Sequence, residues 1–197
     1  MARMDYVIIC RVIALLGECG ITDDELSFLL GKANNYVFSF IVKPSDKNRF
    51  TEDQLDLLPY ILNCSFADII PNGTEKGNIQ LYHTKRIDDE YKGFSHIIYD
   101  ATGEGTRVIW RKKKAPKGST RKTNEKLLDL LKRWTSDGYF DKKRTGLDIY
   151  KALISTKETN FRINELEKCL KVLAGTQHAI ICKKPLRGVL MYWKRTP

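Results

Sequence analysis

Residues 123–173 repeat apolar side chains at three- and four-residue spacing, and beyond Gly175 that period gives way to two short apolar runs. This switch constrains the fold more than any other feature, because a helix period cannot settle as a strand, nor a strand period as a helix. Leu127, Leu128, Leu131 and Trp134 predict a helix over about 123–135, and Leu147, Tyr150 and Leu153 a second over about 146–154. Ile163, Leu166, Leu170 and Leu173 predict a third over about 160–173. The runs 178–182 and 189–193 predict two strands, joined by Lys183-Lys-Pro-Leu-Arg-Gly188 as a basic hairpin tip.

The N-terminal segment, 1–71, reads as helical throughout. Ile8, Val12, Leu15 and Cys19 mark a first helix stopped by Gly20, and Thr22 with Glu25 forms a capping box for a second carrying Leu26, Leu29 and Leu30. A third runs from about Asn34 or Asn35 to Val42, and a fourth starts at Thr51 with Leu55, Leu58 and Ile61 inward, Pro59 being a point of kinking. Ser65–Ile70 predicts a last short turn. Between the helical segments, 72–122 changes character. It holds a short strand at 79–82, a hairpin from 95–100 and 106–110 around a Gly-rich loop, and a basic linker from Arg111 to Lys122. The expected fold class is mainly α with small β-hairpins, in two domains (1–71 and 123–197) joined by 72–122.

Charge separates these segments. Residues 1–71 carry 6 basic and 10 acidic side chains, 72–105 carry 4 and 6, and 106–197 carry 24 and 8. The whole excess therefore sits in the C-terminal half, as expected of a chain that meets nucleic acid through one part. The longest apolar run, Val7–Cys10 resumed at Val12, is about half of the ~20 residues that a bilayer span needs. Asp5 and Arg11 interrupt it as a signal peptide. Five scattered cysteines without a CxxC pair fit a reducing compartment. The expectation is a cytoplasmic, nucleoid-associated protein with no membrane partner.

The stretch Gly20-Ile-Thr-Asp-Asp-Glu-Leu-Ser-Phe-Leu-Leu-Gly-Lys-Ala-Asn-Asn-Tyr-Val37 resembles the helix-turn-helix of phage Cro and repressor proteins. The resemblance implies that Ala33, Asn34, Asn35 and Ser39 face DNA, with Asn able to read adenine; Lys32, where the family has an apolar turn residue, is a further candidate DNA contact. The module is also net acidic, and Phe38 and Ile41 sit at its outward positions, which suits a homodimer or another protein partner. Residues 123–197 resemble a winged-helix domain in element order. At 100° per residue Asn164, Lys168 and Lys171 lie on or near the face of the third helix opposite its apolar stripe, and Arg162, early in that helix, is placed for a phosphate. Lys183, Lys184 and Arg187 would form the wing, and Lys142, Lys143 and Arg144 would contact the backbone ahead of the second helix. Arg111, Lys112, Lys113 and Lys114 are candidates for further phosphate contacts from the linker.

No catalytic constellation emerges. Gly103-Glu-Gly105 lacks the strand–loop–helix context of a dinucleotide site, and no GxxxxGK[ST] or HExxH occurs. The three histidines and five cysteines lack zinc-ligand spacing, so neither metal nor cofactor is expected. Asp88-Asp89-Glu90 is the one acidic cluster that a small nuclease could use. The leading expectation is a non-enzymatic, duplex-DNA-binding transcriptional regulator of bacterial or phage type. The alternative is an adaptor subunit of a nucleoprotein or defence complex, its acidic domain holding a protein.

Overall fold

Apolar stripes become helices and the intervening segment becomes sheet in the computed structural model. It describes residues 1–70, 72, 77–86, 91–99, 102–113, 123–175 and 179–195, with backbone alone for 81–86, 91–94 and 111–113. The result is a mixed α/β chain with two small antiparallel sheets. Two compact units divide it: Met1–Asp23 with Asn35–Ser119, and Asp24–Asn34 with Thr120–Pro197.

In the first unit α1 (Arg3–Cys19) buries Tyr6, Ile9, Val12 and Leu16, one face of a 3.6-residue period, and ends at Gly20 in the left-handed region. The helix α3 (Tyr36–Val42) buries Val37, Phe40 and Ile41, and Phe40 meets Phe50 edge-on at 5.0 Å. Ile41, expected outward, is thus a core residue. The stripe expected as one helix from Thr51 divides into α4 (Glu52–Leu55) and α5 (Leu58–Leu62), because Pro59 has no N–H to continue the ladder and suits a first turn. Gln54 closes the α4 cap by accepting from the Thr51 N–H at 3.1 Å, and its amide donates to the Tyr36 hydroxyl at 3.0 Å. The short α6 (Phe66–Ile69) is capped by Ser65, whose Oγ accepts from Asp68 N–H.

The strands β1 (Gln80–Arg86), β2 (Tyr91–Tyr99) and β3 (Gly105–Lys113) form an antiparallel meander. It extends further than the sequence suggested: Arg111, Lys112 and Lys113, read as linker, continue β3. That strand is an edge, where charged residues are tolerated because they discourage pairing with other chains. Lys114 and the rest of the expected linker lie outside the described residues, as do the side chains of Arg111, Lys112 and Lys113 and the cluster Asp88-Asp89-Glu90.

On the inner face of β2, His96 is 1% exposed and its Nε2 donates to the Ile41 carbonyl oxygen. Burial holds its pKa below the ordinary value near 6.5, the hydrogen bond to Ile41 opposing. The unfolded chain therefore binds the extra proton more readily. The stabilisation is complete above about pH 6.5 and is lost as the pH falls below it. The expected outcome is a lower urea midpoint for this unit at about pH 5 than at about pH 7. His96→Gln should remove most of that difference.

The second unit runs α7 (Glu125–Ser136), a single 3-10 turn (Tyr139–Asp141), β4 (Arg144–Thr145), α8 (Gly146–Thr156), α9 (Ile163–Ala174), β5 (Ile181–Leu186) and β6 (Val189–Lys194). Asn124 caps α7 by accepting from Leu127 N–H at 3.1 Å, and Thr145 caps α8 by accepting from Asp148 N–H at 3.1 Å. Sheet order is β4-β6-β5, all antiparallel. The tip of the last hairpin is shorter than expected. Lys183, Lys184 and Pro185 belong to β5, and only Arg187 and Gly188 turn, both at positive φ as a mirror-image two-residue turn requires. Pro185 is tolerated because β5 is an edge strand.

Within this unit lies α2 (Asp23–Leu29), which sequence reading placed in a 1–71 domain. The stretch resembling a helix-turn-helix is thus divided at Asn34/Asn35, with α2 in one unit and α3 in the other. Leu26, Ser27, Phe28, Leu29 and Leu30 are all buried. Phe28 lies against Gly146, where an added Cβ would come within 2.9 Å of its ring. Gly31 accepts from Leu190 N–H at 2.6 Å, and at φ +67 an added Cβ would run into Val189. Gly31→Ala combines a left-handed penalty with overpacking, so a loss of about 2–3 kcal/mol is expected in chemical denaturation.

Candidate nucleic-acid interface

Helix α9 buries Ile163, Leu166, Cys169, Leu170 and Leu173, and burial pushes the Cys169 thiol up to about 11. That stripe leaves Arg162 exposed at the N-cap and Asn164, Lys168 and Lys171 half-buried to exposed. Glu165, the residue that would repel a phosphate, is turned back: its carboxylate accepts from Arg162 N–H at 2.9 Å and from the Asn124 amide at 3.4 Å. A second carboxylate comes from α2. Glu25 Oε1 accepts from Asn164 N–H at 3.2 Å, so the amino end of α9 is already occupied by acidic side chains.

The cations differ in how far they are committed elsewhere. Lys171 pairs with Glu167 at 2.7 Å. Lys183 sits at the β5 position opposite Tyr192, four residues before the turn, rather than at the tip. Burial lowers its ammonium pKa, nearby Lys171 adds to this, and Glu167 opposes. Lys184 and Arg187 are exposed on the hairpin. Arg144 is engaged inward, its guanidinium 4.8 Å from the Tyr139 ring centre and its Nε donating to the Tyr139 carbonyl at 3.4 Å. Lys142 and Lys143 remain exposed, with Lys143 Nζ 5.6 Å from the Trp193 ring centre.

The N-terminal candidates do not share a helix face. Lys32 lies in the second unit, where its Nζ donates to the Gly188 carbonyl at 2.8 Å and ties α2 to the hairpin turn. Asn34 is exposed in the loop, and Asn35 is the left-handed residue before α3 rather than part of it. Ser39 is on α3, but its hydroxyl donates to Tyr36 O at 2.6 Å. Sequence reasoning missed Glu25 and Lys32 as parts of the α9–hairpin surface, because no local pattern reports a partner more than a hundred residues away.

Buried beneath the hairpin, the Tyr192 hydroxyl has no hydrogen-bond partner among the described residues, and burial raises its pKa, with Glu167 adding. Tyr192→Phe removes an unsatisfied polar atom while keeping the ring. Its expected effect on the thermal midpoint is nil or a gain corresponding to about 1 kcal/mol.

Among the described residues no three His, Cys, Asp or Glu side chains are placed to hold a metal, and no helix is long and apolar enough to cross a membrane. Compared with protein-family models, curated proteins and solved structures, the chain matches none of them.

Proposed function

We propose that the chain binds duplex DNA through its second unit and acts as a transcriptional regulator, with α9 as the helix laid in the groove and β5–β6 as a wing. The observation that carries this reading is the element order α7-β4-α8-α9-β5-β6 with sheet order β4-β6-β5, which resembles that of a winged helix. Electrostatics support it, since the second unit, residues 24–34 and 120–197, holds 19 basic and 10 acidic side chains. In this reading Arg162 and Lys168 approach from α9, Lys184 and Arg187 from the hairpin, and Lys142 from ahead of α8. Lys32 positions the turn. Phosphate contacts would dominate, so affinity falls steeply with salt. The test is duplex binding by the full chain across a salt series. Contact with about four or more phosphates predicts a log–log slope steeper than about −3; a flat response overturns the reading.

A second reading, an adaptor in a nucleoprotein assembly, draws on the first unit. Tyr60 and Phe66, on α5 and α6, are 74% and 49% exposed beside a net-acidic helical surface, which suits a protein partner. Tyr60→Ser/Phe66→Ser should then abolish partner capture and leave duplex affinity unchanged.

A further inference from the structure

We propose that the outward face of the β4-β6-β5 sheet is a site for single-stranded DNA, with unpaired bases stacking on Trp193 and flanking lysines taking the phosphates. This is the face opposite α9. Ile181 and Tyr192 are each 1% exposed and point inward, and alternation then sends Cys182, Lys184 and Leu186 of β5 and Val189, Met191 and Trp193 of β6 outward. Pairing lays these side by side as Cys182↔Trp193, Lys184↔Met191 and Leu186↔Val189, with Thr145 of β4 opposite Met191 on the other flank.

The α2 segment covers the Val189 end through Gly31, whereas Met191 and Trp193 are half-buried and Leu186 is 42% exposed. Lys143 reaches over the Trp193 ring at 5.6 Å, Lys184 stands in the row opposite Met191, and Lys142, next to Lys143 in the chain, is exposed. The three strands contain no Asp or Glu; the carboxylates that touch them sit at the margins, Asp148 accepting from Thr145 N–H at 2.8 Å beside β4 and Asp141 4.0 Å from Lys194 Nζ at the strand end.

A half-buried indole among lysines on a strand surface matches what a single strand presents, a π-face on each base and a charge on each linkage. A duplex hides its base faces and cannot use the ring. An acidic peptide could satisfy the lysines but would gain nothing base-like from the indole. The strand is DNA rather than RNA on the strength of the duplex reading above, on which this choice rests.

The experiment uses the full chain and two oligomers of about 12 residues, oligo(dT) and an abasic strand of equal phosphate number, followed by fluorescence anisotropy and tryptophan emission. Oligo(dT) should bind about tenfold tighter than the abasic strand and quench emission, which the abasic strand does not. Trp193→Leu should erase that preference and Trp193→Phe should keep part of it, both leaving duplex affinity unchanged. Equal affinity for the two oligomers, absence of quenching in the native chain, or a preference that survives Trp193→Leu overturns the proposal. The quenching comparison needs no variant, so a poorly folding Trp193→Leu does not spare it. Oligo(rU) binding about fivefold tighter than oligo(dT) overturns the assignment to DNA. Loss of the base preference with duplex binding intact sinks this proposal alone, and the reverse outcome sinks the duplex reading alone.

Discussion

Phe28→Ala is expected to destabilise the unit built on residues 120–197 by about 3–5 kcal/mol, although the residue lies more than ninety positions from that segment. Phe28 is 3% exposed and packs against Gly146, the first residue of α8, so truncation leaves a cavity at a point where backbone and ring already touch. Hydrogen exchange gives the location. Amides of α8 and β6 should lose protection in the variant while those of α5 keep theirs. The same reasoning predicts that a fragment starting at about residue 106 exposes the apolar surface that Leu26, Phe28, Leu29 and Leu30 cover, so charge variants of the full chain are the sounder probe of binding.

The second large effect concerns affinity. Reversing Lys184 and Arg187 together places two carboxylates where the proposed wing meets a phosphate backbone. A fall of about 100-fold in duplex affinity at low salt is expected, with the log–log salt slope reduced by about 2. Neither side chain is in the core, since both are exposed, so thermal stability should change little.

What the sequence conveyed follows from what a period can encode. Three and four-residue repeats at Leu127–Leu131, Leu147–Leu153 and Ile163–Leu173 located α7, α8 and α9 within a few residues, because each helix buries one stripe. The strand β4 escaped notice since two residues, Arg144 and Thr145, have no period. The end of β5 reads as a loop because Lys183, Lys184 and Pro185 are loop-like residues, which an edge strand nevertheless accepts. A period also reports that a face is apolar without saying what covers it, which is why α2 was assigned to its neighbours in sequence rather than to Gly146 and Leu190. For the candidate interface, the charge excess was legible but its commitments were not. Arg144 stacks on Tyr139, Lys171 pairs with Glu167, and Lys32 anchors the hairpin turn.

The claim that duplex DNA is held by α9 and the β5–β6 hairpin, rather than by net charge alone, is tested most directly by a matched comparison of charge reversals in the full chain. Lys184→Glu/Arg187→Glu and Lys126→Glu/Lys132→Glu change the net charge equally, but the second pair is exposed on α7 and is not among the proposed contacts. Duplex affinity measured side by side at one salt concentration should fall at least about tenfold further for the hairpin pair than for the α7 pair. Equal losses, or a greater loss from the α7 pair, would contradict the account.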